Sequence, residues 1–361
     1  MSETIEIVID GEAFEGWKSV TIQRSFDALA AMFDFDFAEV PTDDPLRKKV
    51  LKGSTVEILL DGDLLLDGAI NRRREQYDGG SHSLSVSGRD ILSDLVDSSA
   101  TNEPGQWTNT TPSRIAAALV SVFPELSWRS DLSLDGKPLE TFSLETGETV
   151  FGALDRLARF LGAVVRSDGR GGAFFERPGS RRAPVALSRA ANIEGGELDD
   201  DDSQRYSLYI GHSQGPTEAF WDAGSPGQTI RSQVADPGVP RFRPLLILAE
   251  AAAGEQSLTD RLQFESNVRA ARSSQVRYTL PRWRLDGHVW DPGELVSIYD
   301  PILGIGTAAG EPVDMLLSSA TLERPAGSGS RTRLEFMRPD AFQPEPPDPP
   351  PAQEGFEFWE D

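Results

Sequence analysis

One pentapeptide has the residue types and spacing of a nucleophile. Gly211-His212-Ser213-Gln214-Gly215 reads G-x-S-x-G, the elbow that presents a serine hydroxyl between a buried parallel strand and a helix. Glycines flank the serine because that turn is strained. Residues 206–210 can supply the strand. After Pro216, however, the chain soon enters Asp222-Ala223-Gly224-Ser225-Pro226-Gly227, so no helix long enough to cover a sheet face fits. The base would have to be His288, the one histidine downstream of Ser213. It lies in a turn-rich segment, WRLDGHVWDPG. There is no HGGG-type oxyanion loop and no strand–helix alternation. Ser213 and His288 therefore read as a decoy pair, with Gly211 and Gly215 serving a turn between β elements. A serine hydrolase is the alternative, and an esterase assay on Ser213→Ala decides it.

Other clusters point away from catalysis as well. Asp199 to Asp202 are four consecutive acids. A calcium loop takes ligands from alternate positions, with a glycine and a distal glutamate, so a solvated loop fits this run better. In FDFDF, Phe33, Phe35 and Phe37 share one side and Asp34 and Asp36 the other, which is the pattern of a half-buried strand. Three scattered histidines give no zinc signature. The absence of cysteine removes thiolate chemistry and disulfides. No Gly-Lys-Ser/Thr phosphate cradle is present. The expectation is no cofactor and no metal.

The charge balance excludes further classes. With 58 acidic and 35 basic residues the net charge is −23, which repels phosphate backbones, so no specific nucleic-acid binding is expected. The clusters at 72–74 and 181–182, and Arg282 with Arg284, are too local to reverse this. No run of about 18 apolar residues exists, so membrane insertion is not expected. The N-terminus alternates from the start and reads as a strand rather than a signal peptide.

The elements that carry these residues are mostly strands. Residues 4–9, 17–24 and 33–37 alternate with period two. Residues 53–100 form the most legible stretch: a strand over 55–60, an Asp61-Gly62 turn, a strand through Gly68 to Arg74, a turn at 78–80, and a strand over 82–87. Gly88-Arg89-Asp90 ends this meander, and residues 91–96 read as a short helix. From 101 the period becomes 3.6. Thr111-Pro112 starts one helix, and residues 148–161 form a second with an apolar stripe. A hairpin follows across residues 163–177. Strand candidates resume at 184–187, 205–210 and 218–221. Residues 222–250 read mostly as loop, and a helix over 256–273 is expected to complete the middle domain. Strands return at 275–280 and 294–299.

The opening pattern recurs near the end. Gly53-x-x-Val56-x-Ile58 aligns with Gly293-x-x-Val296-x-Ile298, and Leu84, Val86 and Asp90 align with Leu334, Phe336 and Asp340. Ala69-Ile70-Asn71 and Ala320-Thr321-Leu322 fall between them. This reads as two related β modules flanking a dissimilar middle.

The same residues carry a family resemblance. Trp17 follows an N-terminal strand. Gly53 opens a G-x-x-V-x-I strand, and LLLDGAINR contains Gly68. The string Gly88-Arg89-Asp90 is followed by Asp94-Leu95-Val96-Asp97. This pattern resembles the baseplate hub protein of Mu-type contractile phage tails, over nearly the whole chain to about 342 and most sharply over 15–100. The resemblance implies a homotrimeric ring with two similar tube-type domains per subunit, joining the six-fold tail tube to the three-fold central spike. It implies tail tube, spike and other baseplate proteins as partners, and the virion tail baseplate as location. Related hubs occur in type VI secretion spikes, bacteriocins and gene-transfer particles.

The expected architecture is mainly β with an α+β insertion: two similar small β-barrel modules flanking a middle α+β domain. The expected boundaries are 1–100 for the first module and 101–180, with helix 256–273, for the middle. Residues 181–255 and 274–342 make the second module, and 343–361 an acidic, proline-rich disordered tail. Phe356, Phe358 and Trp359 in that tail are candidate docking anchors. The expected function is a structural hub, not an enzyme. A cell-wall-binding module using Trp283 and Trp290 as sugar platforms is a third reading, set against a role of those rings in the core.

Overall fold

The structure is a computed structural model that describes residues 3–14, 16–26, 28–37, 50–78, 82–135, 138–161, 163–214, 229–248 and 255–339. It divides into two units: one formed by 199 and preceding residues together with 275–339, the other by 200–274.

The first unit begins with β1 (Ile5–Ile9), β2 (Glu12–Phe14), β3 (Trp17–Ser25), β4 (Met32–Phe37), β5 (Thr55–Leu60), β6 (Asp63–Tyr77) and β7 (His82–Asp90). Hairpins β1–β2 and β5–β6 turn at Asp10-Gly11 and Asp61-Gly62, where both residues have positive φ (48° and 80°, 53° and 87°). Two successive left-handed residues match the twist of the flanking strands, and Asp-Gly supplies them at least cost. Alternation then sends Ile5, Ile7, Ile9, Phe33, Phe35, Phe37, Val56 and Ile58 into one core. Each such side chain contributes about 1.5–3 kcal/mol through burial.

Helix α1 (Ser93–Asp97) leads into the middle of the unit. There lie β8 (Gln106–Thr110), α2 (Pro112–Val120), β9 (Ser127–Ser130), β10 (Leu139–Ser143), α3 (Val150–Phe160), β11 (Val164–Ser167) and β12 (Gly172–Glu176). Pro112 sits in the first turn of α2, where its missing N–H is no loss. Thr149 caps α3 by accepting from the Gly152 N–H at 3.0 Å. Ile115 and Leu119 of α2 and Leu154 and Leu157 of α3 share a separate core with Leu95 of α1.

Strands β13 (Arg181–Arg182), β14 (Leu187–Ser188) and β15 (Gly195–Asp200) follow. The second unit holds β16 (Leu208–Gln214), β17 (Thr229–Ala235), β18 (Pro244–Leu248) and α4 (Glu255–Arg272). The chain then forms β19 (Ser274–Leu280), β20 (Arg284–Leu285), β21 (His288–Val289), β22 (Glu294–Tyr299), β23 (Val313–Arg324) and β24 (Arg331–Met337). Val276, Tyr278, Val296, Ile298, Leu334 and Phe336 gather in a third core.

The molecule is mainly β, built on one large antiparallel sheet ordered β15-β19-β24-β23-β3-β4-β7-β6-β5-β1-β2, with β22 on β23 and β13 and β14 beside β22. Neither module closes into a barrel through strand pairing among the described residues. The reason is visible at β3: its outer edge pairs with β23, from Ser319↔Ser25 to Arg324↔Val20. The edge that could close the first module joins it to the second instead.

Three expectations need correction. Helix α4 does not complete the middle domain. It packs on the β16–β18 sheet, where Leu258 and Leu262 are fully buried. A Cβ on Gly211 would lie 2.7 Å from Leu258 and 3.1 Å from Leu262. Residues 200–274 are accordingly a unit of their own, not part of the second β module. The segment read as loop over 222–250 contains two strands, β17 and β18, within its described residues 229–248. The strand candidate at 218–221 and the tail with Phe356, Phe358 and Trp359 lie outside the described residues.

Candidate functional site: the repeated strands and their edges

The internal repeat is carried by backbone geometry. Gly53 and Gly293 open β5 and β22 with φ of 88° and 94°, conformations that side chains resist. Their N–H groups donate to Ile70 O and Leu317 O, each at 2.8 Å. A register break follows at the matching place, between Ile70 and Arg72 in β6 and between Leu317 and Ser319 in β23. A β-bulge bends a strand and increases its twist, so both long strands turn at the same point. Pairing also fixes the true equivalences. Gly88 lies opposite Ile70, and Phe336 opposite Leu317. Phe336 therefore corresponds to Gly88 rather than to Val86, and Leu334 to Val86. The sequence alignment was two residues out of step in this strand. The partner of Asp90 is Arg338; Asp340 lies outside the described residues. Ala69 matches Leu316, opposite Leu295 as Ala69 is opposite Thr55.

Gly68, Gly88, Arg89, Asp90 and Leu95 lie where the sheet of the first module meets the middle core. Gly68 and Gly88 mark a close approach of β6 and β7. A Cβ on Gly68 would run into the carbonyl of Arg89, and one on Gly88 into the carbonyl of Ala69 and the Phe33 ring. Asp90 is fully buried. Its carboxylate accepts from the Ala31 N–H at 3.0 Å and the Leu92 N–H at 3.1 Å. Burial pushes its pKa up to about 6, against the opposing effects of these bonds and of Ser167 and Arg24. Arg89 clamps Asp97 with two hydrogen bonds, one of 3.1 Å. That bond lowers the Asp97 carboxyl and raises the Arg89 guanidinium. The Asp94 carbonyl accepts from Ser98 N–H at 3.0 Å and ends α1. Leu95 enters the middle core. Trp17 packs on the first core, with the Arg324 guanidinium 5.8 Å from its ring centroid, a cation–π contact across the β3–β23 joint.

Two strand edges of the sheet differ sharply in charge. The far half of β6, beyond the bulge, reads Arg72-Arg73-Arg74-Glu75-Gln76-Tyr77. Among the described residues it pairs with β7 on one side only, since β5 begins opposite Ala69. Tyr77 is 86% exposed. At the end of the sheet path, β15 is exposed along its whole length and carries Glu197 and Asp199. Arg277 contacts both, at 3.7 Å and 3.4 Å, and Glu335 at 3.1 Å. One cation among three acids leaves this edge negative. The arginine cluster is visible in the sequence, whereas the acidic residues of β15 do not read as a strand. The acidic run at 199–202 reads as a solvated loop in the sequence, because Leu198 is the one apolar residue of β15 and gives no alternation.

The enzyme-like residues fall in different units. Ser213 lies within β16, paired opposite Ile230 of β17, and the strand continues to Gln214. Gly211 is a mid-strand packing position under α4, not a turn, and Gly215 lies outside the described residues. His288 belongs to the other unit, on β21. Its Nε2 is 3.0 Å from the Glu294 carboxylate, and its ring meets Trp290 edge-on. Trp283 and Trp290 are both fully buried, in the first and second module cores, so neither serves as a sugar platform. Asp201 caps the turn at Ser203 N–H, 2.8 Å away. Among the described residues no cluster of three or more potential ligands could hold a metal.

Comparison with known proteins agrees with this geometry. Residues 4–90 match the model of the Mu phage baseplate assembly protein GpP-like N-terminal domain. Residues 93–177 match the baseplate hub protein gp44-like second domain, and 254–345 the Mu phage baseplate assembly protein GpP fourth domain. The chain is 29% identical over 347 residues to the baseplate hub protein gp44 of Escherichia phage Mu, spanning 95% of this chain and 89% of that protein. The crystal structure of the 43 kDa tail protein of prophage MuSo2 from Shewanella oneidensis is 26% identical. It covers 95% of this chain and 100% of that one, with a TM-score of 0.81. The tail protein from Neisseria meningitidis MC58, 20% identical over 95% and 99% of the two chains, shares the fold with a TM-score of 0.76. The class so defined is a non-enzymatic structural component of a phage tail baseplate. The chain is similar to the baseplate hub proteins of Mu-like phage tails along 95% of its length.

Proposed function

We propose that three copies of this chain form a ring of six β modules that joins the tail tube to the central spike. The observation that carries the reading is the joint inside one chain. β3 of the first module adds to the far half of β23, beyond its bulge. In the repeat, β15 stands where β3 stands, because β19 pairs with β24 as β4 pairs with β7, and β15 and β3 flank them. β6 stands where β23 stands. The same joint repeated between chains sets the acidic β15 of one copy against the basic far half of β6 of the next. Antiparallel strand addition satisfies the open backbone groups of both edges, and opposite charge sets partner and register. Alternation of the two joints closes on a three-fold axis, since a head-to-tail interface makes a ring when its rotation closes. The β-barrel character of each module is completed by its neighbours. Tail tube and spike proteins contact the two faces of the ring.

Sedimentation of the full chain, alone and with its tube and spike proteins, tests the reading. The expected species is a trimer. A monomer at every concentration and in every mixture contradicts it.

A further inference from the structure

A cavity of about 520 Å³ opens in the first unit between β3, the 168–171 turn and the β20–β21 hairpin. Its walls are polar and unusually basic for a chain of net charge −23. Five arginines line it, Arg24, Arg129, Arg166, Arg170 and Arg284, against three aspartates, Asp63, Asp168 and Asp291. The aspartates are already engaged. Asp63 pairs with Arg284 at 2.7 Å, Asp168 with Arg129 at 3.4 Å, and Asp291 with Arg166 at 3.2 Å. Arg166 also binds Glu176 at 2.6 Å behind the wall.

Arg24 and Arg170 are left without a carboxylate partner among the described residues. Arg24 donates from Nη2 to the Leu65 carbonyl, and Arg170 from Nε to the Leu64 carbonyl at 3.2 Å. The Nε atoms of Arg24 and Arg284 are buried and have no hydrogen-bond partner. A buried donor without an acceptor is costly, and more so when charged. Desolvation holds the Arg24 guanidinium below the usual arginine range, and the nearby charges of Arg166 and Arg170 push the same way. The charges of Asp291 and Asp90 oppose this shift only in part, and the Asp90 oxygens are taken by the Ala31 and Leu92 N–H groups.

We infer that this cavity binds a phosphate-class oxyanion, held by Arg24 and Arg170 with Arg284 at the rim. Guanidinium forks match the oxygens of phosphate two at a time, and an oxyanion would supply the acidic partner that Arg24 and Arg170 lack among the described residues. Bound there, it ties the first β module to the middle domain and to the β20–β21 hairpin. The inference does not depend on the oligomeric state.

Calorimetric titration and thermal unfolding of the full chain with inorganic pyrophosphate and inorganic phosphate, at constant ionic strength against chloride, test it. Saturable binding of one pyrophosphate per chain is expected, with Tm rising as the logarithm of its concentration. Arg170→Ala, at an exposed position, weakens binding about tenfold, the loss of one charge-assisted bond. Arg24→Gln abolishes it. If Arg24→Gln does not fold, Arg170→Ala alone carries the test. Absence of saturable binding for both anions, or the same affinity in Arg170→Ala as in the unchanged protein, overturns the inference.

Discussion

The two β modules share a backbone plan and differ in what fills it. Both open on a positive-φ glycine that donates to the next long strand, and both bend that strand at the same bulge. Yet Gly88 in the first module corresponds to Phe336 in the second, and the buried Asp90 to Arg338. Gly68, which faces Asp90, corresponds to Met315. The first module brings backbones together where the second packs large side chains. Hydrogen-bond geometry is thus the conserved half of the repeat, and the side chains are free to fit each module to a different neighbour. The first turns Asp90, Arg89 and Leu95 toward the middle domain. The second offers the far half of β23 to β3.

The largest test of this contrast is Gly88→Ala. A Cβ there meets the Ala69 carbonyl and the Phe33 ring, so a loss of about 3 kcal/mol is expected, the upper range for an overfilled core. Chemical denaturation measures it. A neutral result would mean that the close approach of β6 and β7 is not what distinguishes the first module.

Asp90 gives a difference of sign. Its pKa is raised from 3.8 to about 6, so its proton stabilises the fold fully below the unfolded value. That contribution is lost as pH rises through the folded one. Each pKa unit is about 1.4 kcal/mol, so on the order of 2–3 kcal/mol is at stake. The stability of the unchanged protein minus that of Asp90→Asn should fall between pH 3.8 and about 6 and level off above. A difference that rises with pH in that window would mean that the hydrogen bonds, not burial, dominate the site.

The entry glycines should separate the modules more finely. Gly53→Ala meets no atom within 4 Å and costs only its left-handed conformation, about 1–2 kcal/mol. In Gly293→Ala the new Cβ also comes to 2.6 Å from the Glu176 carboxylate, so it should cost more, as melting of the two variants would report. Equal losses would remove that contact from the account. Arg89→Ala should have the smallest effect, below about 1 kcal/mol, because its pair with Asp97 is largely solvated.

Much of the first module was legible because its strands alternate cleanly and its Asp-Gly turns announce themselves. FDFDF buries its phenylalanines as alternation requires. The second unit was harder. β17, TIRSQVA, lies beside a Gly/Pro-rich run, and α4 has too little amphipathic contrast to name its partner. The repeat was detected but slipped by two residues, because period-two patterns match equally well at any even shift. Only the bulge fixes the register, and a bulge leaves no composition signal. The β3–β23 joint pairs residues almost 300 apart in sequence, which no local pattern reveals. The acidic and basic edges each lie on a strand side without a partner among the described residues, a placement that no local pattern reveals.

The joint between chains admits a direct measurement, since the protein has no cysteine. One cysteine replaces Asp199 on β15 and a second replaces Arg72, Arg73 or Arg74 on β6, and each pair is oxidised under native conditions. The account predicts that at least one pair gives covalently closed trimers, while either single variant gives none. Monomers throughout, in protein shown to be assembled, would contradict the edge-to-edge ring.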